Sequence, residues 1–334
     1  MDLIGNQQVR ARLRSLAEAE RLHHCLLFEG PEGVGKAASA LWLAQVVNCA
    51  AENTARPCGT CWSCRQIPKG QHPDIICVGL DPGKATAIIS VDQAREVLQQ
   101  LSLRPFHARH RFVIIDPMDA MTSAAANAML KTLEEPPAAT GFVLISSAAA
   151  SLLPTVRSRC QRIRFAPVPL TELTAWLERR GVADAEEVAR LAEGCPGRAL
   201  GLSVSEAGAW RKSRDALLAA LECPIEQRFK YGEKLARGDR AVWVDRVEQT
   251  LTAVSTVLRD ALATQRGGGP IYNTDRPELV TAWTARLGPE GIARLAGVVG
   301  AARDNLDHNV NGRLLADGFL AHLSAALRPQ GRDR

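Results

Sequence analysis

Gly30-Pro31-Glu32-Gly33-Val34-Gly35-Lys36-Ala37 sets three glycines and a lysine between an apolar run, Cys25 to Phe28, and an alanine-rich stretch, Ala37 to Val47. A strand, a glycine loop, a lysine and a helix in that order can cradle a phosphate chain. Glycines let backbone N–H groups turn inward, the helix start adds its positive end, and the lysine neutralises phosphate oxygens. In a working nucleotidase the residue after the lysine is Ser or Thr, whose hydroxyl holds Mg²⁺. Here it is Ala37, whose methyl group coordinates nothing.

Upstream, Val9, Leu13 and Leu16 recur at helical spacing with arginines between them, so residues 1–24 carry an amphipathic helix. Downstream lies a cysteine cluster, Cys49, Cys58, Cys61 and Cys64, with Cys49 ending the helix and the other three on a turn. Each C-x2-C step lets two thiolates face one tetrahedral ion, and a fourth closes the shell. Glycine and serine around the ligands suit a knuckle turn, and such a closed Cys₄ site is structural. The competing reading is a chance group of free thiols. The other five cysteines are scattered and read as free or core residues.

Further on, Pro73 to Val78 reads as a strand, and Ser90 with Gln93 as a capping box before a helix faced by Val91, Leu98 and Leu101. Arg111 to Asp116 is a buried strand ending in a carboxylate. Such an Asp supports Mg²⁺ in phosphate-loop proteins, although it could equally cap a strand. The following position often carries a water-activating Glu; here Pro117 has no proton-accepting group. A helix spans Ser123 to Leu133 and stops before Pro136-Pro137. Phe142 to Ile145 is a strand with Ser146 and Ser147 at its tip, and Ile163 to Phe165 is the last strand. Strands alternating with helices over residues 25–165 predict an α/β fold with a parallel, doubly wound sheet. Ligands of such sheets sit at the strands' carboxyl ends, where the loop, Asp116 and Ser147 fall.

Pro167-Val168-Pro169 marks a boundary, followed by short helices that Gly181 and Gly194 punctuate, and by a third opening at Pro196. From Ala207 the pattern is helical throughout. Val244, Val247, Leu251, Val254 and Leu258 mark a long amphipathic helix, Gly267 to Pro270 a mobile loop, and further helices fall near Pro277 to Leu287, Pro289 to Asn305 and Gly312 to Leu327. The polar tail, Arg328 to Arg334, reads as disordered. The expected domains are 1–166, a nucleotide-binding-like core with the Cys₄ insert; 167–206, a small helical lid; and 207–334, an all-α assembly domain.

Composition fits this plan. The 334 residues include only seven Phe, two Tyr and six Trp, which favours helices over sheet sandwiches. The net charge of +5 permits a polyanionic partner without requiring one. No apolar run approaches the roughly 20 residues of a membrane helix. The first residues do not resemble a signal peptide, so a cytoplasmic protein without membrane contact is expected.

Taken together, the loop, the Cys₄ insert, the helix Ala124 to Leu133 running into Glu134-Glu135-Pro136-Pro137, and Ser158-Arg159-Cys160 resemble bacterial clamp-loader subunits of the AAA+ class. The resemblance is strong to about residue 205; beyond that it is one of length and character only. It implies an AAA+ phosphate-loop sheet domain with a zinc-binding insert, a helical lid and a helical collar. It implies that Arg159 is an arginine finger reaching a neighbouring subunit's nucleotide; the residues alone leave open an arginine salt-bridged at a strand end. It implies nucleotide-facing roles for Gly30, Gly33, Gly35, Lys36 and Asp116, with Ser147 as sensor 1 and Arg198 as sensor 2. The implied partners are delta and tau/gamma subunits in a five-membered ring, and the sliding clamp and primed DNA through that ring. Ala37 and Pro117 depart from the motor members and match the stator member, which lacks hydrolysis of its own; the alternative is an active tau/gamma-like ATPase. Whether ATP binds stays open at this point, and the Cys₄ set, Cys49, Cys58, Cys61 and Cys64, is expected to hold Zn²⁺.

Overall fold

The computed structural model describes residues 2–51, 56–80, 88–202, 204–268, 271–306 and 310–327, with backbone alone for 204–209 and 225. Gly269, Pro270 and the tail 328–334 lie outside the described residues. The chain forms two compact units, Met1–Gly181 with Ala192–Gly201, and Val182–Leu191 with Leu202–Arg334.

The first unit opens with α1 (Gln7–Glu18), whose Leu13 is fully buried. Then come β1 (Cys25–Glu29), α2 (Lys36–Asn48), the short α3 (Trp62–Gln66), β2 (Ile75–Val78), α4 (Val91–Leu101), β3 (Arg111–Ile115), α5 (Ser123–Glu134), β4 (Thr140–Ser146), α6 (Pro154–Arg157) and β5 (Gln161–Arg164). The five strands form one parallel sheet in the order β2-β3-β4-β1-β5. β1, β3 and β4 are buried throughout, as strands covered on both faces must be. One core packs Phe28, Leu43 and Val143 on the side of α1 and α2; another packs Leu27, Met129 and Leu144 on the side of α4 and α5.

Local chemistry sets several boundaries. The capping box at Ser90 forms as the sequence requires: Ser90 Oγ accepts from Gln93 N, and Gln93 Oε1 accepts from Ser90 N at 2.9 Å. The buried face of α4 is Ala94, Val97 and Leu101, with Val91 and Leu98 only half-buried. Cys64 differs from its expected place on a turn: it lies within α3. Edge strand β5 is fastened by Glu29, which accepts from Arg162 at 2.7 and 2.9 Å and from Arg164 at 2.7 Å. Burial would raise the Glu29 carboxyl, but the two guanidiniums outweigh it and hold it below the usual range. The unit ends with α7 (Leu170–Arg179), and it also contains α9 (Pro196–Gly201); the intervening α8 (Ala185–Leu191) belongs to the second unit.

The second unit adds α10 (Val204–Glu222), α11 (Ile225–Leu235), α12 (Arg240–Arg266), α13 (Pro277–Leu306) and α14 (Gly312–Ala326). Its core seats Val247, Leu251, Val254 and Leu258 of α12 against Trp283, Leu295, Phe319 and Leu323. α13 is kinked at Gly288 (φ 59°, ψ 179°) just before Pro289, where the sequence separates two helices.

Candidate functional site

Among the described residues of the first unit, a cleft of about 440 Å³ opens at the carboxyl ends of the strands. Gly33, Gly35, Lys36, Ala37 and Asp116 line one part; Leu3, Ile4, Ile145, Trp176 and Leu200 give it an apolar part. Its size falls in the range of small-molecule sites. Lys36 is buried, and its ammonium donates to the loop's own carbonyls, Gly30 O at 2.5 Å and Pro31 O at 2.8 Å. Burial pushes this ammonium below its ordinary value, against the pull of Asp116 and Asp119. Burial conversely raises the Asp116 carboxyl, against the pull of Lys36. The cleft thus sets Lys36 and Asp116 within electrostatic reach of one another, and Ala37 lines it with a methyl group in place of a metal-ligating hydroxyl.

The loop is closed from the far side by α9. Gly197 N donates to Gly33 O at 2.7 Å, and a Cβ built on Gly33 would lie 2.8 Å from Arg198 N. Gly33 also has φ +76°, so two separate constraints demand glycine there. Arg198 sits beside the loop, and its Nη1 lies 3.5 Å from Glu193. Ser147 stands at the tip of β4, and its backbone N and Oγ both donate to Asp119 Oδ2 at 2.8 and 3.1 Å. Asp119 also accepts from Ser146 Oγ at 2.5 Å. Sequence reasoning missed Asp119; its only signal was a carboxylate three residues beyond Asp116. It missed too the pairing of Asp2 with Trp176 Nε1 at 2.9 Å and Arg180 Nη2 at 3.0 Å at the cleft's edge.

Arg159 lies away from that cleft's lining. Its Nε and Nη2 donate to Glu134 Oε2 at 3.1 and 2.8 Å, and its Nη1 to Thr155 O at 2.9 Å. Its side chain is 30% exposed and that of Glu134 is 58% exposed. Glu134 comes from the Glu134-Glu135-Pro136-Pro137 end of α5, so the two motifs that share sequence prominence also share a hydrogen bond.

The four cysteines meet. Sγ atoms of Cys49, Cys58, Cys61 and Cys64 all lie within 4.8 Å of one another and could hold one metal ion. Tetrahedral thiolates about 2.3 Å from zinc stand about 3.8 Å apart, so the set needs only a small contraction. Backbone donors already point at sulfur: Cys58 N to Cys49 Sγ at 3.4 Å and Cys61 N to Cys58 Sγ at 3.3 Å. Hydrogen bonds from Thr60 and from backbone N–H groups bring the Cys58 thiol down to about 5 and favour its thiolate, whereas burial pushes the Cys64 thiol up. Gln45 Nε2 donates to Cys64 O at 2.7 Å and ties the knuckle to α2.

A parallel β2-β3-β4-β1-β5 sheet with a glycine loop after β1 is the architecture of an AAA+ phosphate-loop domain. The crystal structure of a DNA polymerase III gamma subunit-related protein from Thermotoga maritima has the same fold, with a TM-score of 0.50 over 95% of this chain and 99% of that one, at 19% identity. A family model described as DNA polymerase III, delta subunit, matches residues 5–169. DNA polymerase III subunit delta' of Escherichia coli K12 is 31% identical over 317 residues, 93% of this chain and 92% of that protein. The chain belongs to this delta-prime family. It is also 36% identical over 178 residues to the DNA polymerase III gamma/tau subunit of Mycobacterium tuberculosis H37Rv, which covers 53% of this chain and 30% of that protein. Among the described residues no helix is long and apolar enough to cross a membrane.

Proposed function

We propose that this chain is the non-hydrolysing, stator-type subunit of a DNA polymerase III clamp loader, and that it lends Arg159 to a neighbour's nucleotide site. The observation that carries the reading is the pairing of a magnesium-blind cleft with an outward guanidinium. Ala37 lines the cleft without offering a ligand, and Pro117 follows Asp116 without offering a base. Arg159 is held on the surface by one exposed carboxylate and one carbonyl, a hold that an incoming phosphate could outbid.

In this reading Gly30, Gly33, Gly35 and Lys36 keep a phosphate cradle, with Asp116, Ser147 and Arg198 around it. Cys49, Cys58, Cys61 and Cys64 would hold a structural Zn²⁺, which supplies cross-linking of the knuckle and no chemistry. Residues 1–166 act as the nucleotide-binding-like core, 167–206 as the lid and 207–334 as the collar. The partners are delta and tau/gamma subunits in a five-membered ring that acts on the sliding clamp and primed DNA. The test mixes this chain with those subunits and measures composition and ATPase together. The expected result is a stoichiometric complex whose ATPase needs this chain, while the chain alone turns over no ATP. Magnesium-dependent turnover by the chain alone would instead make it a motor subunit.

A further inference from the structure

The knuckle carries more than a metal site. We propose that its outer face, together with the loop at residues 102–110, is a binding surface for a single-stranded polynucleotide. The loop is preformed. The buried carboxylate of Asp74 accepts from the backbone N–H groups of Phe106, His107 and Ala108 at 2.8, 2.7 and 2.8 Å. Arg111 Nη1 holds Gln100 O and Leu103 O at 3.0 and 2.9 Å, and Asn48 brackets His110 through both its backbone groups. Burial works to raise the Asp74 carboxyl, but these N–H donors, with Arg111, hold it below the usual range.

So rigid a loop presents Leu103 at 69% and Phe106 at 85% exposure. The knuckle adds Trp62, 40% exposed, whose ring meets the rings of His107 at 4.5 Å and His72 at 5.0 Å. That contact joins the two segments into one surface. An apolar side chain fixed in water by a buried anchor is unexplained by folding, because nothing in the chain is gained by holding it there.

Charge selects the occupant. Across residues 56–80 and 102–110 the cations are Arg56, Arg65, Lys69, Arg104 and Arg109, and the single carboxylate, Asp74, is buried and occupied. Exposed aromatic faces among cations that form no ion pair with the described residues suit a flexible strand that offers bases to stack and phosphates to neutralise. A duplex hides its bases and offers only the second. The two aromatics are 44 positions apart in the chain, which is why no stripe shows in the sequence.

This surface is read on the chain alone, so its fate is separate from that of the clamp-loader proposal. The experiment is anisotropy of a fluorescein-labelled oligodeoxythymidine of about 25 nucleotides with the full-length chain over a sodium chloride series. The expected result is saturable binding that weakens with salt and exceeds that for duplex of equal length. Phe106→Ala should weaken it about tenfold, the effect of removing one stacked base. The double variant Arg104→Glu, Arg109→Glu should weaken it further and flatten the salt slope by about 1.4, or 0.7 for each lost phosphate contact. Both variants alter exposed side chains and should melt as the parent does. Absence of binding near 10⁻⁴ M protein at low salt, on the order of ordinary non-specific affinity, would overturn the proposal. Variants that bind like the parent would do so too. Equal competition by polyglutamate would also overturn it, by making the surface a dock for acidic polypeptide.

Discussion

Lys36 and Arg159 are cations of one unit set in opposite circumstances. Lys36 is 6% exposed, depressed by burial, and turned back onto two carbonyls of its own loop. Arg159 is 30% exposed and bonded to a carboxylate that is itself mostly in water. A cation enclosed by its own loop serves what lies in that loop's cleft. One resting against an exposed partner is free to be taken by a stronger anion, since an exposed ion pair contributes only about 0–1 kcal/mol.

The largest expected effect tests the outward cation. Arg159→Ala should slow single-turnover hydrolysis at the neighbouring site about 10³-fold, or about 4 kcal/mol of barrier, while gel filtration shows the complex assembling as before. Unchanged turnover would leave Arg159 a surface ion pair and erase the contrast. Next, removing the metal with a chelator, or substituting Cys61→Ala, should destabilise the first unit by several kcal/mol in denaturant melts. Elemental analysis should find one zinc per chain. Asp74→Asn should cost about 2 kcal/mol, because three backbone donors lose a charged acceptor. The pH dependence follows from the sign of its shift. Asp74 is depressed in the folded protein, so its contribution is complete above the ordinary Asp value of about 4 and is lost as pH falls through the lower folded value. Acid melts of parent and variant should therefore converge. The smallest effect is expected of the enclosed cation: Lys36→Met should leave ATPase of the assembled complex within about twofold of the parent. A loss as large as that for Arg159 would mean that this cleft, too, takes part in turnover.

The sheet was legible because its signals are local. Phe28, Ile115 and Ile145 sit in short apolar runs, and the glycine loop, the Ser90 box and the Gly288-Pro289 break each announce a backbone event within a few residues. The Cys₄ set was legible from spacing, although Cys64 proved helical. What stayed hidden depends on pairing at long range. Asp119 gains meaning only because β4 delivers Ser146 and Ser147 beside it. Asp2 matters only through Trp176 and Arg180. Glu134 and Arg159 were each visible, but not that they bond. Strand order likewise requires knowing which apolar runs lie side by side, and periodicity is silent on that.

The bond between Gly197 and Gly33 joins backbone to backbone, so no side-chain drift between the two segments can loosen it. A movement of the loop that keeps this bond carries α9 along with it. Cys195, buried one residue before that helix with its thiol raised by burial, then becomes a natural chemical reporter: alkylation of that sulfur would register motion of the loop without any label being introduced.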